Sequence, residues 1–211
     1  MRDRYGAVLV LLLAAYVLDA FRTEHWIPRI LSALLLFGLV VLALVAPDVA
    51  RPLRILGFTG LGLTVAFLVA AEIASNEDLR GLALIALASV LSVAIASVVH
   101  RLTHHPVIDI TTVMGAIVTY TLLGFMFGLL FEGIDQLTAE PFFAQGLVEA
   151  GDYTYFAFVT LTTLGYGDLA PATELAKRLS VLEALFGQIF MVVLVARLVS
   201  LWGRPNPRTA D

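Results

Sequence analysis

The sequence contains no cysteine. Disulfides, thiolate metal sites and a cysteine nucleophile are thereby excluded. Charge is scarce as well: 14% of the residues are charged, against about 25% in an ordinary soluble domain. Lysine occurs once, as Lys177, and the other twelve of the thirteen basic residues are arginine, a bias expected of a GC-rich, prokaryotic source. No Ser/His pair or metal-ligand cluster falls inside an apolar run, so an intramembrane enzyme is not expected. The net charge of −4 says little about partners, because in a membrane the side on which a charge sits outweighs the sum. Neither a nucleic-acid partner, a soluble ligand nor an organic cofactor is indicated.

What fills the 211 residues is apolar: 60% of them are hydrophobic. That composition indicates an all-α integral membrane protein, since only helices and closed barrels satisfy their backbone in lipid. Six apolar segments are legible, at about 5–21, 27–46, 53–75, 82–99, 107–134 and 179–202. Each approaches the ~17–25 residues needed to cross the hydrocarbon. Arg2 and Arg4 before a short apolar run resemble a secretory signal, but no small-x-small cleavage site follows, so the first segment is taken as a retained span. Pro28, Pro47, Pro52, Gly81 and Pro106 fall at span ends or in loops. Gly57, Gly60 and Gly62 lie inside the third span, where small residues allow close helix packing.

A further stretch at 153–163, "YTYFAFVTLTT", is apolar but too short to span. It fits a half-membrane helix that enters and returns, which is tolerated only where protein or water covers it. With six spans both termini share one side. That side holds Arg2, Arg4, Arg51, Arg54, Arg101, Arg204 and Arg208, whereas the other is rich in Asp and Glu. The excess of arginine places both termini in the cytoplasm of a multi-pass plasma-membrane protein.

Directly after the short helix comes "TLGYGD", 163–168. Gly165 and Gly167 can take positive φ without a Cβ clash. Left- and right-handed angles in alternation turn successive carbonyls to one side, so that four such strands around an axis stack rings of oxygens. Such rings replace the water of a dehydrated cation, with the Thr163 hydroxyl adding one more, while Leu164 and Tyr166 pack behind.

On these residues the chain resembles the potassium channel family, whose filter is written TVGYG. Here the filter is Thr163, Leu164, Gly165, Tyr166 and Gly167, with Leu in place of Val. The resemblance covers about 107–202. It implies a passive K⁺-selective channel in which K⁺ is the permeant ligand, held at Thr163, Leu164, Gly165 and Tyr166. One loop per chain implies a homotetramer. The resemblance also implies a division into a four-span membrane module (1–105), a pore domain (106–203) of outer helix, pore helix, filter and inner helix, and a short cytoplasmic tail (204–211). The family often carries Trp where this chain has Tyr155 and Phe156, and some members carry Glu where Val159 stands. With that carboxyl pair missing, Asp168 is free to bond to Tyr155.

Filter support is assigned to Thr162, Tyr155, Asp168 and Glu183, the last expected to bond Thr160 or Thr162 behind the pore helix. In the last span Gly187 is either a hinge or a space-maker for the filter's base. Gln188, Met191, Val195 and Val199 fall on one helical stripe. The resemblance makes that stripe the cavity and gate, with Val195 and Val199 as an apolar constriction, and ordinary helix packing is the alternative. Arg197 snorkels or senses headgroups. Glu132, Glu140, Glu149 and Asp152 form either an acidic outer vestibule or a solvated loop face.

The fourth span, "LALIALASVLSVAIASVV", carries no charge. A voltage sensor needs repeated Arg or Lys, so steep voltage gating is not expected. His100, His104 and His105 sit in the link to the pore, where proton gating and a plain solvated loop are both open. The tail after Trp202 is expected to be too short for a sensing domain. Two other classes remain open, a potassium-uptake subunit and a non-selective cation channel. One complete loop argues against the first, and Tyr166 against the second.

Overall fold

A computed structural model describes residues 3–19, 38, 41, 51–104 and 110–201. Six helices are described: α1 (Asp3–Asp19), α2 (Arg51–Ala74), α3 (Glu77–His104), α4 (Ile110–Leu137), α5 (Ala150–Leu161) and α6 (Glu174–Leu201). Among the described residues the β-structure is one isolated bridge, between Phe143 and Pro171. Four helices are long and apolar enough to cross a membrane, over Arg51–Ala74, Glu77–His100, Thr112–Leu137 and Glu174–Arg197. The expected second span at 27–46 lies outside the described residues except for Gly38 and Val41. His105, Pro106 and the tail 204–211 also lie outside them. At 17 residues α1 is shorter than these four, with its apolar part at Val8–Val17.

α4 is the hub. It packs against α1, α3, α5 and α6. Glycines set the closest of these approaches. A Cβ at Gly81 of α3 would lie 2.9 Å from the Gly133 carbonyl oxygen, and one at Gly133 would lie 3.0 Å from that of Gly81. The two backbones touch there, as small residues allow between membrane helices. α2 joins α3 through a tight turn at Ser75, where φ is +47°. Of the α2 glycines expected at helix contacts, Gly60 meets Val90 of α3, whereas Gly62 faces open space.

α5 lies against α4 along a second glycine edge. At Gly124 a Cβ would strike the Phe158 ring at 2.6 Å, and at Gly128 it would strike Thr154 Cα at 2.9 Å. α1 reaches the same place: the Tyr16 ring meets Phe158 edge-on with centroids 5.1 Å apart, and Phe125 at 6.4 Å. The N-terminal helix therefore touches the short helix that precedes the filter motif.

Candidate functional site

Twelve residues form α5, too few to cross a bilayer. Its start is fixed by polar groups. Asp152 Oδ2 accepts the Glu149 N–H at 2.9 Å, and an acid in the first turn suits the helix dipole. Beneath this start lies an aromatic cluster of Phe131, Phe142, Phe143, Tyr153 and Phe156, with ring centroids 4.8–6.4 Å apart. Asp135 ties it together, accepting the Tyr153 hydroxyl and the Phe142 N–H. No local pattern marks this cluster, because its members come from α4, the 138–149 loop and α5. Of the four acids expected on a vestibule or a loop face, Glu140 and Glu149 are exposed, Glu132 is buried and Asp152 serves the helix start.

The end of α5 shows how the loop is held. The last four carbonyls of a helix have no partner within it. Here each finds one. Phe158 O accepts Thr162 N at 3.0 Å and Thr162 Oγ1 at 2.6 Å. Val159 O accepts Leu164 N at 2.9 Å and Gly165 N at 3.4 Å, and Thr160 O accepts Thr163 N at 3.0 Å. Leu161 O accepts the hydroxyl of Tyr120, from α4, at 2.8 Å. The motif thus folds back on its own helix, and N–H groups that would otherwise compete for its inner face are used up.

Backbone angles alternate as expected for such a loop. φ is +60° at Thr163, +55° at Gly165 and +79° at Gly167, with no positive φ at Leu164 or Tyr166. For the glycines this carries no steric cost. For Thr163, a β-branched residue, it is a strained conformation of the kind that persists at functional sites. The bonds to Val159 and Thr160 hold it.

Past the loop, Tyr155 Oη donates to Asp168 Oδ2 at 2.7 Å. This is the pairing named from the sequence. It holds the Asp168 carboxyl below its ordinary range and is the main cause that pushes the Tyr155 phenol up to about 12. Beyond it, 170–172 is pinned to the turn before α5. Ala144 N donates to Ala170 O and Ala172 N to Phe142 O, both at 2.8 Å, and Ala170 N donates to Gln145 Oε1 at 3.1 Å.

Gly187 of α6 sits against the end of α5. A Cβ there would lie 2.6 Å from Leu161 Cδ1 and 3.1 Å from Leu161 O. Of the two expectations for Gly187, close approach is what the contacts display. Glu183, one turn earlier, differs from expectation. It is fully buried and bonds neither Thr160 nor Thr162, and both carboxyl oxygens lack a hydrogen-bond partner. Thr162 turns its hydroxyl to its own helix instead. Gln188, Met191, Val195 and Val199 are all exposed on the far face of α6. Leu164 and Tyr166 are 58% and 67% exposed, so their own chain covers less than half of each.

Residues 110–202 match a family described as ion channel. Over 49 residues the chain is 47% identical to two pore potassium channel c of Oryza sativa subsp. japonica, and 43% and 41% identical to two-pore potassium channels 5 and 4 of Arabidopsis thaliana. Each of these matches covers 23% of this chain and, in turn, 11%, 12% and 17% of the relatives. The chain thus aligns with only a small part of the curated relatives' length. Within those bounds, the segment from α4 through α6 is similar to the ion channel family, and 49 residues of the chain are similar to plant potassium channels.

Proposed function

We propose that the chain is one subunit of a homotetrameric, K⁺-selective channel that conducts passively. The observation that carries this is the alternation of left-handed φ at Thr163, Gly165 and Gly167, with the N–H groups of Thr163, Leu164 and Gly165 turned back onto α5. A backbone so arranged has its carbonyls free to face an axis, and four copies supply rings that replace the hydration of K⁺. Thr163, Leu164, Gly165, Tyr166 and Gly167 are the filter, and α5 is the pore helix. The negative end of its dipole, at Leu161, favours a cation below the filter.

The exposed residues support a fourfold assembly. Leu164 and Tyr166 lack cover in one chain, and so does the apolar far side of α6, including Leu182, Leu185, Ile189 and Val192. Neighbouring subunits would cover the first two and part of the second. Gln188, Met191, Val195 and Val199 would then line the cavity, with Val195 and Val199 able to dewet as a gate. A carboxamide such as Gln188 is poorly placed against lipid and well placed against water in a cavity.

In this proposal six spans lie in the plasma membrane with both termini cytoplasmic. Residues 1–105 form a four-span module without a voltage sensor, and 106–203 form the pore, followed by the tail 204–211. α3, over Glu77–His100, carries a single basic residue before its histidine, Arg80, paired with Glu72 and Glu77 at 3.2 Å. A lone pair of this kind cannot supply steep voltage dependence.

Native mass measurement of the purified protein in detergent, paired with K⁺ flux into liposomes, tests the assembly. Four chains per particle and flux abolished by Gly165→Ala are expected. A monomer with undiminished flux would end the proposal.

A further inference from the structure

A side chain from a second helix closes the end of α5. Tyr120 of α4 gives its hydroxyl proton to Leu161 O at 2.8 Å, and α6 touches both ends of that bond. At the acceptor end, a Cβ on Gly187 would stand 3.1 Å from the same carbonyl oxygen. At the donor end, Phe190 stacks on the Tyr120 ring, with centroids 6.0 Å apart and planes inclined by 26°. Gly187 and Phe190 are three residues apart, so one face of α6 presents both.

The bond acts on one particular peptide plane. Leu161 O and Thr162 N belong to a single planar unit. Its N–H side is held by Phe158 O, which accepts Thr162 N at 3.0 Å, and its oxygen side is held by Tyr120. The plane is thus fixed at both edges just before Thr163, the residue with a strained φ of +60°. Leu161 is buried, so its carbonyl has no water to fall back on. Rotation about the Tyr120 Cα–Cβ bond would swing the hydroxyl away. The Phe190 ring, lying against the Tyr120 ring, restrains that swing.

We propose that Tyr120 is a positioning residue for the filter and that Phe190 aims it, so that α6 sets the Leu161–Thr162 peptide plane through the Phe190 ring, the Tyr120 hydroxyl and the Leu161 carbonyl. The proposal rests on the channel reading, in which α5 bears the filter. Preference for K⁺ then depends on where α6 stands. An α6 that shifts carries Phe190 off the Tyr120 ring and loosens the plane on which Thr163 depends.

The test uses the full chain in liposomes, with carbon-13 at leucine carbonyls and nitrogen-15 at threonine amides. Leu161–Thr162 is one of four Leu–Thr pairs in the sequence, and its solid-state NMR signal is the one lost in Leu161→Ile. That carbonyl signal should move upfield in Tyr120→Phe, which removes the donor. It should move part of the way in Phe190→Leu and stay in place in Phe190→Tyr, which keeps the ring. The K⁺ over Na⁺ flux ratio should fall about fivefold in Tyr120→Phe, the worth of one hydrogen bond. It should fall less in Phe190→Leu and hold in Phe190→Tyr. Combining Tyr120→Phe with Phe190→Leu should be no worse than Tyr120→Phe alone, because Phe190 acts through Tyr120. A carbonyl signal or flux ratio indifferent to Phe190→Leu, or additive losses, would overturn the aiming by α6. A ratio unchanged in Tyr120→Phe would overturn the positioning role. Phe190→Met serves in place of Phe190→Leu if the latter does not assemble. Carbonyl shifts as expected in a protein whose wild type passes K⁺ and Na⁺ alike would end the channel reading and leave the aimed bond. Selective wild-type flux with an indifferent carbonyl would do the reverse.

Discussion

The hydroxyl of Tyr155 meets the carboxylate of Asp168 at 2.7 Å, joining the middle of the short helix to the residue that follows Gly167. Asp168 is exposed and Tyr155 half-buried in the single chain, so the bond's worth lies in geometry more than in burial. It spans the loop whose Thr163 is strained, and it fixes the Gly167 end while the α5 carbonyls fix the Thr163 end.

Tyr155→Phe should therefore speed the decay of K⁺ current without lowering expression. Acid on the outer face should do the same to the wild type. Asp168 is held below its ordinary value of 3.8, chiefly by the Tyr155 hydroxyl. Its contribution is then complete above that value and is lost as pH falls through the lowered one. Decay that quickens only below about pH 4, and does not quicken further in Tyr155→Phe, is the expected pattern in liposome recordings.

Gly187→Ala sets two effects against each other. Alanine raises helix propensity by ~1 kcal/mol. The new methyl would meet Leu161 Cδ1 at 2.6 Å, which can move, and Leu161 O at 3.1 Å, which is backbone. Overpacking of this kind costs about 1–3 kcal/mol, so a net loss is expected, with a weaker hold on the filter. Thermal melts check the first and the K⁺ over Na⁺ ratio the second. A stabilised, fully selective variant would mean that the contact with Leu161 is dispensable.

Gly128→Ala tests the seat of the short helix. Its Cβ would lie 2.9 Å from Thr154 Cα, so the backbone of α5 itself must shift. A loss of about 1–3 kcal/mol and a fall in flux are expected. Gly62→Ala is the control, since that position faces open space: it should leave flux unchanged and raise rather than lower the melting temperature, through the ~1 kcal/mol of helix propensity alone.

Val195→Asp should wet the inner mouth and raise open probability, as the dewetting gate requires. Single-channel recordings decide this. Unchanged open times would remove Val195 from the constriction and return the stripe to ordinary helix packing.

The helices and the motif were legible in the sequence because length and hydropathy are local properties. The span expected at 53–75 is α2, Arg51–Ala74, and the one expected at 179–202 is α6, Glu174–Leu201. The short helix expected at 153–163 runs Ala150–Leu161. Positive φ at Gly165 and Gly167 was legible from residue type. Contacts between distant segments were not. The edge formed by Gly124 and Gly128 reads in sequence as any apolar helix, and its meaning depends on Phe158 and Thr154 lying opposite. Asp135 reads in sequence as one more acid near a span end, but Tyr153 and Phe142 claim it. Glu183 was expected to bond a threonine of the short helix, yet Thr162 already bonds Phe158 O. Tyr16 has no signal of its own in the sequence, and its contact with Phe158 exists only because α1 packs there.

The reversal potential of the reconstituted protein under opposed K⁺ and Na⁺ gradients tests the central claim most directly. Carbonyls of the Thr163-to-Gly167 backbone acting as the hydration shell of K⁺ predict a reversal close to the K⁺ equilibrium potential, lost in Gly165→Ala. A reversal near zero in the wild type, with K⁺ and Na⁺ passing alike, would contradict it.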